Sequence, residues 1–410
     1  MGLDKRVVVA LTAIGLVLTP AAVLRALCVG HSCDDPTKVS ADVPFCSLPE
    51  ARRDTIAAGF REGRSPDVLV VPHEQPSGRV PLAFIGRGID PAGSIPSGTK
   101  LDAVAPTIAE AIGIERPHPE VRSGEPIASL TRGERPSLVV VIALVGVGSD
   151  DLSRDRWDAL GDMGDEGVMS TDAVVGSAPN DRAAVTTTLG TGGLPYQHGI
   201  TGTFVRNDRG EVVPAWGRGA PVSVIASLPD DMDELHSQEP RIGLIAASLR
   251  DRGLIGGNWY LGNDVDDIVI QPSSRKAVAA VRDLLADGFG TDRVTDLLAV
   301  SLDGPLAELD RALADVVASA RAASNDGALI AVSGTGSTAA SAERIRQEVD
   351  RTLPGRTRFV ERSVSGGFFL DQGALARTGT DADAVVDAIV QTEAFADAFA
   401  AINVEFARYC

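Results

Sequence analysis

The apolar residues of this chain fall into short unbroken runs that are separated by stretches with helical spacing. The strongest run is Ser137–Leu144, SLVVVIAL, and such a run is typical of a central parallel strand buried on both faces. Weaker runs predict further strands at Asp67–Val71, Val80–Ile85, Ile242–Ala246, Leu297–Val300 and Ala328–Val332. Helical spacing predicts helices at Glu50–Arg61, Leu101–Ile112, Ser274–Leu285 and Pro305–Ala323. Because strands alternate with helices, we predict an α/β fold with a doubly wound, mostly parallel sheet flanked by helices.

The N-terminus carries the longest apolar segment, Val7–Leu24, directly after Lys5 and Arg6. Eighteen residues span about 27 Å as a helix, which is close to the thickness of a bilayer core. The basic residues before the segment predict a cytoplasmic start, with the body of the chain on the extracytoplasmic side. A cleavable signal peptide, which would give a secreted protein, and a helix buried in the fold are the alternatives.

Composition divides the chain into five parts. Residues 1–24 form the signal anchor or signal peptide, and residues 25–44 form a polar juxtamembrane segment. Residues 115–136 are rich in Pro, Gly, Arg and Glu without an apolar period, which predicts a linker. This linker separates residues 45–114 from residues 137–410.

The chain of 410 residues carries a formal net charge of −18. Binding of nucleic acid or of anionic lipid by the folded body needs a basic surface, so this charge argues against both. We therefore expect no nucleic-acid partner, and contact with a membrane only through the N-terminal helix.

The four cysteines are Cys28, Cys33, Cys46 and Cys410. An even number of cysteines outside the cytoplasm predicts disulfides, and four cysteines allow three connectivities. Zinc ligation is less favoured, because His31 is the only other soft ligand in the neighbourhood.

The most informative motif is Gly176–Gly202, GSAPNDRAAVTTTLGTGGLPYQHGITG. Its second half resembles the TLxTGxxPxxHGI element of the type I phosphodiesterase/nucleotide pyrophosphatase branch of the alkaline phosphatase superfamily. Val80–Ile89 resembles the family pattern vPlxfxGpGi, and Leu101–Gly124 resembles diaPTixexLGixxP. The resemblance implies an alkaline-phosphatase-like sheet over roughly residues 45–410.

The order of these motifs differs from that of the family. Val80–Ile89 and Leu101–Gly124 resemble late family segments, yet here they precede Ser137–Leu144, which resembles the opening strand. The C-terminal segment resembles the family region that comes just before the counterpart of Arg52–Val71. The resemblance thus implies a circular permutation rejoined through residues 115–136, which is physically feasible because domain termini often lie close together.

The permutation has a covalent consequence. Cys410 ends the segment that in the family runs into the segment beginning at Cys46. The resemblance therefore implies a Cys46–Cys410 disulfide, with Cys28–Cys33 closing a small loop. A Cys33–Cys46 pair is the alternative.

The family uses two metal ions, usually zinc, held by Asp and His at the carboxyl ends of strands. Counting back from Thr191 without gaps places Asn180 at the nucleophile position, where an amide has no ionisable hydroxyl. Val145 stands where the family has the Asp after its first strand, and Gly334 and Thr335 stand where it has an Asp-His pair. The resemblance therefore implies a conserved scaffold that has lost its catalytic groups.

Asp303 and His73 are the two candidate remnants of the metal ligands. An isolated Asp after a strand is more often a turn or cap residue, and two ligands are too few for a zinc site. We expect no cofactor, and zinc only if Asp150 or Asp151 joins these two in a rearranged site. The glycine-rich loop Ser333–Ser337, SGTGS, could cradle an anion, although a simple strand-to-helix turn is favoured.

These observations favour a membrane-anchored, extracytoplasmic pseudoenzyme with a binding or scaffolding role in the cell envelope. The alternatives are a metal-dependent phosphodiesterase or phosphatase with a rearranged site, and a non-catalytic phosphate- or nucleotide-binding module. The expected partner is an envelope protein or a small phosphorylated ligand, and the sequence identifies neither.

Overall fold

The computed structural model describes a defined part of the chain: residues 44–71, 78–152, 157–257, 259–260, 266–325, 327–337, 346, 351, 357–390 and 397–400. For Val71 and residues 397–400 only the backbone is described. Three predicted features lie outside these residues: the apolar segment Val7–Leu24, the candidate ligand His73, and Cys28, Cys33 and Cys410.

A seven-stranded sheet forms the centre of the described structure. Its strands are β2 (Arg79–Gly86), β3 (Leu138–Leu144), β4 (Val168–Val174), β7 (Ile242–Ala246), β8 (Asp267–Ile270), β9 (Asp296–Leu302) and β10 (Ala328–Gly334), in the order β4-β2-β10-β3-β9-β7-β8. Neighbouring strands from β10 to β8 are parallel, and β2 runs antiparallel to both β10 and β4. The predicted α/β architecture with a mostly parallel sheet is confirmed.

The central strands form where the sequence has unbroken apolar runs, because helices cover both faces of the sheet. Every residue of β3, β9 and β10 is buried. On β3, Val139 and Val141 pack in the same core as α3 (Val104–Ile112), whereas Val140 and Ile142 pack on the other face. That second face is covered by α5 (Asp158–Glu166), α9 (Ser274–Ala286) and α10 (Leu306–Ala323).

A second, four-stranded sheet joins the two ends of the chain. Its order is β11-β12-β1-β13, where β1 is Val68–Val71, β11 is Val360–Val364, β12 is Gly367–Leu370 and β13 is Asp397–Ala400. The strand β1 pairs antiparallel with β12 on one side and with β13 on the other. Helices α11 (Gln372–Thr378) and α12 (Ala382–Val390) contribute to the core of this sheet.

The remaining described elements are short. They are α1 (Pro44–Ser47), α2 (Glu50–Gly59), α4 (Ser149–Leu152), α6 (Arg182–Thr191), α7 (Pro195–His198), α8 (Leu228–Leu235), the hairpin β5 (Phe204–Arg206) and β6 (Val212–Pro214), and the 3-10 turns Leu101–Ala103, Pro119–Val121, Ala128–Leu130 and Leu249–Leu254. The predicted helix at Leu101–Ile112 therefore begins as a 3-10 turn that continues into α3.

Two predictions about the chain ends can be compared with the described residues only in part. Within the described residues, no helix has the length and apolar character needed to cross a bilayer. Cys46 is disulfide-bonded, and its helix α1 contacts β13. The pairings Cys46–Cys410 and Cys28–Cys33 stay predictions, because the other three cysteines lie outside the described residues.

Candidate functional site at the carboxyl edge of the sheet

The carboxyl ends of β3, β9 and β10 meet at one edge of the large sheet, which is where open α/β sheets bind their ligands. Val145, Asp303 and Thr335 directly follow these three strands. The Val145 N–H donates to the Leu302 carbonyl at 2.9 Å, and the Thr335 N–H donates to the Leu144 carbonyl at 3.0 Å. The structure thus brings together the positions on these strands at which the resemblance implies metal ligands.

The loop after β10 is bonded to the loop after β3. The Thr335 hydroxyl accepts from the Gly146 N–H at 2.9 Å, and the Gly336 N–H donates to the Val147 carbonyl at 2.9 Å. Because the N–H groups of Thr335 and Gly336 are used in this way, the Ser333–Ser337 loop does not offer them to an anion. The loop forms a turn whose hydrogen bonds link the carboxyl end of β10 to that of β3.

Gly334, at one of the positions where the resemblance implies a metal ligand, has no room for a side chain. A Cβ built on Gly334 would lie 2.2 Å from the Val147 carbonyl oxygen and 2.9 Å from Pro81 Cδ. Both distances are far below van der Waals contact, and the nearer atom belongs to the backbone. An aspartate at this position would require the chain around Val147 to move.

The start of α6 lies at the same edge. Asn180 is adjacent to Gly336, because a Cβ on Gly336 would lie 2.8 Å from Asn180 Nδ2. The next residue, Asp181, caps α6 by accepting from the Ala183 N–H at 2.9 Å, and it accepts from the Thr203 hydroxyl at 2.9 Å. Burial raises the pKa of the Asp181 carboxyl, while its hydrogen bonds act in the opposite direction. The helix N-terminus is therefore filled by the chain's own carboxyl group.

Arg182 is the charged residue that reaches the candidate remnant Asp303. Its Nη1 donates to Asp303 Oδ2 at 2.6 Å, and its Nη2 donates to Asp251 Oδ2 at 2.6 Å. Its Nε donates to the other oxygen of Asp251, which makes this pair bidentate. Asp251 is fully buried and also accepts from the Ser301 hydroxyl on β9.

The sequence reasoning missed both Arg182 and Asp251. Arg182 was visible as a charged residue within the Gly176–Gly202 motif, two positions after Asn180. Asp251 carried no signal, because it lies in the 3-10 turn Leu249–Leu254, far from any recognised motif.

The carboxylates proposed for a rearranged metal site are engaged elsewhere. Asp303 contacts Arg182, Asp150 lies 3.7 Å from the Arg79 guanidinium, and Asp151 accepts from the Gly148 N–H at 2.8 Å. Across the described part of the chain, no three His, Cys, Asp or Glu side chains converge as a metal site would require. The described residues at this edge do not fit the two-metal centre that the resemblance implies.

His198 is fully buried and joins α6 to the turn after α7. Its Nδ1 accepts from the Ile200 N–H at 3.1 Å, so the proton is on Nε2, which lies 3.2 Å from the Thr188 hydroxyl. Burial, with a further contribution from the nearby charge of Arg61, lowers the pKa of His198 to about 3. The neutral imidazole closes a turn.

His198 gives the protein a defined loss of stability in mild acid. Its folded-state pKa lies below the ordinary value, so the unfolded chain binds a proton first and stability falls as pH drops below about 6.5. Between about pH 7.5 and about pH 5.5 we expect the wild type to lose about 1.4 kcal/mol more than His198→Asn, which keeps an acceptor for Ile200. Urea unfolding at the two pH values measures this difference.

Equal losses in the two proteins would show that His198 is not buried in its neutral form. Buried carboxyl groups with raised pKa, such as Asp102 and Asp230, act in the opposite sense, because their protonation in the folded state favours folding as pH falls. Both proteins contain these groups, so the comparison isolates the contribution of His198.

Residues 139–240 match the family model "Type I phosphodiesterase / nucleotide pyrophosphatase". The matched region includes all of β3 except its first residue, Leu138, together with the Gly176–Gly202 motif, and it covers about a quarter of the chain. This match agrees with the resemblance that the Gly176–Gly202 motif carries.

One solved structure with a similar chain path is a mutant of the alkaline phosphatase PafA. The similarity covers 63% of this chain and 77% of that chain, with 14% sequence identity and a TM-score of 0.44. No curated protein matches this chain.

Proposed function

We propose that the protein is a pseudoenzyme of the alkaline phosphatase superfamily, with a metal-independent fold and a binding or scaffolding role in the cell envelope. The observation that carries the proposal is that three positions at the carboxyl edge of the sheet hold no side chain that binds a metal. Val145, Gly334 and Thr335 provide neither carboxylate nor imidazole, and Gly334 has no space for one. Catalysis by two metal ions needs such donors at these strand ends.

The catalytic alternative requires Asp303 to converge with His73, which lies outside the described residues, and with Asp150 or Asp151. Asp303 is instead bound by Arg182, and Asp151 accepts from the loop that follows β3. A phosphate-binding role without turnover has less support, because the loop N–H groups and the start of α6 are already used within the chain. We therefore favour a protein partner over a phosphorylated ligand.

We further propose that the chain is a circular permutant of the family fold. The N-terminal part of the chain supplies β2, between β4 and β10, and also β1, between β12 and β13. The strand β13 is thus the direct neighbour of β1. This adjacency supports a fold in which the C-terminal segment once continued into the segment around Cys46.

Attachment to the membrane is also part of the proposal. Its support is the apolar segment Val7–Leu24 after two basic residues, together with an acidic body that has little affinity for anionic lipid. A folded body without catalytic donors, held at a membrane surface, is suited to bind a protein of the same compartment.

An assay of the full chain in detergent tests the proposal. We expect no hydrolysis of bis-p-nitrophenyl phosphate or p-nitrophenyl phosphate above the protein-free rate, with Zn²⁺, Mn²⁺ or Mg²⁺ added. The matched control Asn180→Thr restores a hydroxyl at the counted nucleophile position. It should be equally inactive, because a hydroxyl needs a metal or base to become a nucleophile. Metal-dependent turnover by the wild type would contradict the proposal.

A further inference from the structure

We propose that the Arg182 guanidinium is the resident cation of the carboxyl edge, standing between Asp251 and Asp303 where the family's chemistry would require a metal ion. The inference rests on the proposed function and assigns a role to a residue that the motif comparison leaves unexplained.

The contacts of Arg182 resemble those of a cation held by a carboxylate cluster. Three of its N–H groups point to carboxylate oxygens, two of them to Asp251 and one to Asp303. The Ser301 hydroxyl completes the surroundings of Asp251. The Arg182 side chain is 16% exposed and that of Asp251 is 0% exposed, so water screens this pair weakly.

The start of a helix does not favour an arginine, so we attribute the presence of Arg182 to these carboxylates. Arg182 is the first residue of α6, where the helix dipole disfavours positive charge. The helix gains its cap from Asp181 and needs no arginine. The buried carboxylate of Asp251, in contrast, is unfavourable unless a cation accompanies it.

The same contacts explain how the fold tolerates the loss of metal ligands. Asp303 and Asp251 lie on separate segments, after β9 and in the turn Leu249–Leu254. A single guanidinium joins both segments to α6. It thus holds the two segments together as a bound metal would. Metal ligation and the Arg182 contacts are then mutually exclusive at this edge.

Thermal melting of full-chain variants tests this role. Arg182→Gln removes the charge and keeps hydrogen-bonding groups, and we expect it to melt several degrees below the wild type. Millimolar Mn²⁺, which prefers carboxylate and hydroxyl oxygens, should restore most of that loss through Asp251, Asp303 and Ser301. The wild type should not shift with Mn²⁺. Recovery should disappear in the double variant Arg182→Gln with Asp303→Asn.

Arg182→Lys keeps the charge without the fork geometry, and it should melt between the wild type and Arg182→Gln, without a response to Mn²⁺. It also keeps the test decisive if Arg182→Gln does not fold, since folding by the lysine variant alone identifies charge as the requirement. Equal melting of the lysine and glutamine variants, or a glutamine variant that ignores Mn²⁺, would overturn the inference. A wild type that binds Mn²⁺ would instead contradict the proposed function, so the two failures are distinguishable.

Discussion

Replacing Asp231 with leucine is expected to lower the free energy of unfolding by about 3–5 kcal/mol, because it leaves buried arginine charges without their partner. Asp231 is fully buried. It accepts from Arg116 Nε at 2.7 Å, from Arg122 Nη2 at 3.2 Å and from the Tyr260 hydroxyl at 2.8 Å. Burial lowers the pKa of Arg116 to about 10, which still leaves it charged at neutral pH.

Denaturant unfolding measures this effect, with Asp315→Ala as the matched control. Asp315 forms an exposed ion pair with Arg282 at 3.0 Å, and such surface pairs are worth at most about 1 kcal/mol. Similar losses in the two variants would show that the Asp231 cluster does not stabilise the fold.

The same cluster explains why residues 115–136 are more than a connecting segment. Arg116 donates to the Thr191 carbonyl at 2.8 Å and to the Ala226 carbonyl at 3.1 Å, and Arg122 also donates to Ala226. These bonds fix the segment to the end of α6 and to the start of α8. The sequence predicted a linker because the segment has no apolar period, and its attachment is made by buried charges.

Gly334→Asp, which places a carboxylate where the resemblance implies a metal ligand, is expected to cost about 3 kcal/mol of stability and to give no metal site. The cost arises because its Cβ would lie 2.2 Å from the Val147 carbonyl oxygen. Metal binding should not follow, because Asp303 stays bound to Arg182. Denaturant unfolding and metal titration of the purified variant measure the two effects.

Gly161→Asp is the matched control for this substitution. Gly161 lies in α5, and a Cβ there would meet no atom within 4 Å. We expect a change within about 0.5 kcal/mol at this surface site. A Gly334→Asp protein as stable as Gly161→Asp would show that the edge is open to a side chain.

The core of the fold could be predicted because burial on both faces leaves a direct mark on the sequence. The strands β3, β9 and β10, which these runs predicted, are buried at every position. The four-stranded sheet could not be predicted as a unit, since it joins β1 to strands roughly 300 residues later in the chain. No local pattern specifies such a distant pairing.

The candidate site could likewise be predicted from the sequence only in part. Motif positions located Asn180, Asp303 and Thr335 at one edge, because each follows a recognisable strand or precedes a recognisable helix. The Arg182–Asp251 pair was invisible, since its partners belong to separate segments and either residue alone resembles ordinary surface charge. The lack of space for a side chain at Gly334 could not be predicted either, because it depends on the path of the loop after β3.

The most direct test of the central claim is the metal content of the full chain, purified in detergent without chelators and measured by mass spectrometry. We predict less than about a tenth of an equivalent of any transition metal, against the full occupancy that a structural or catalytic site shows. One or two equivalents per chain would contradict it, and would mean that ligands outside the positions at this edge hold a metal.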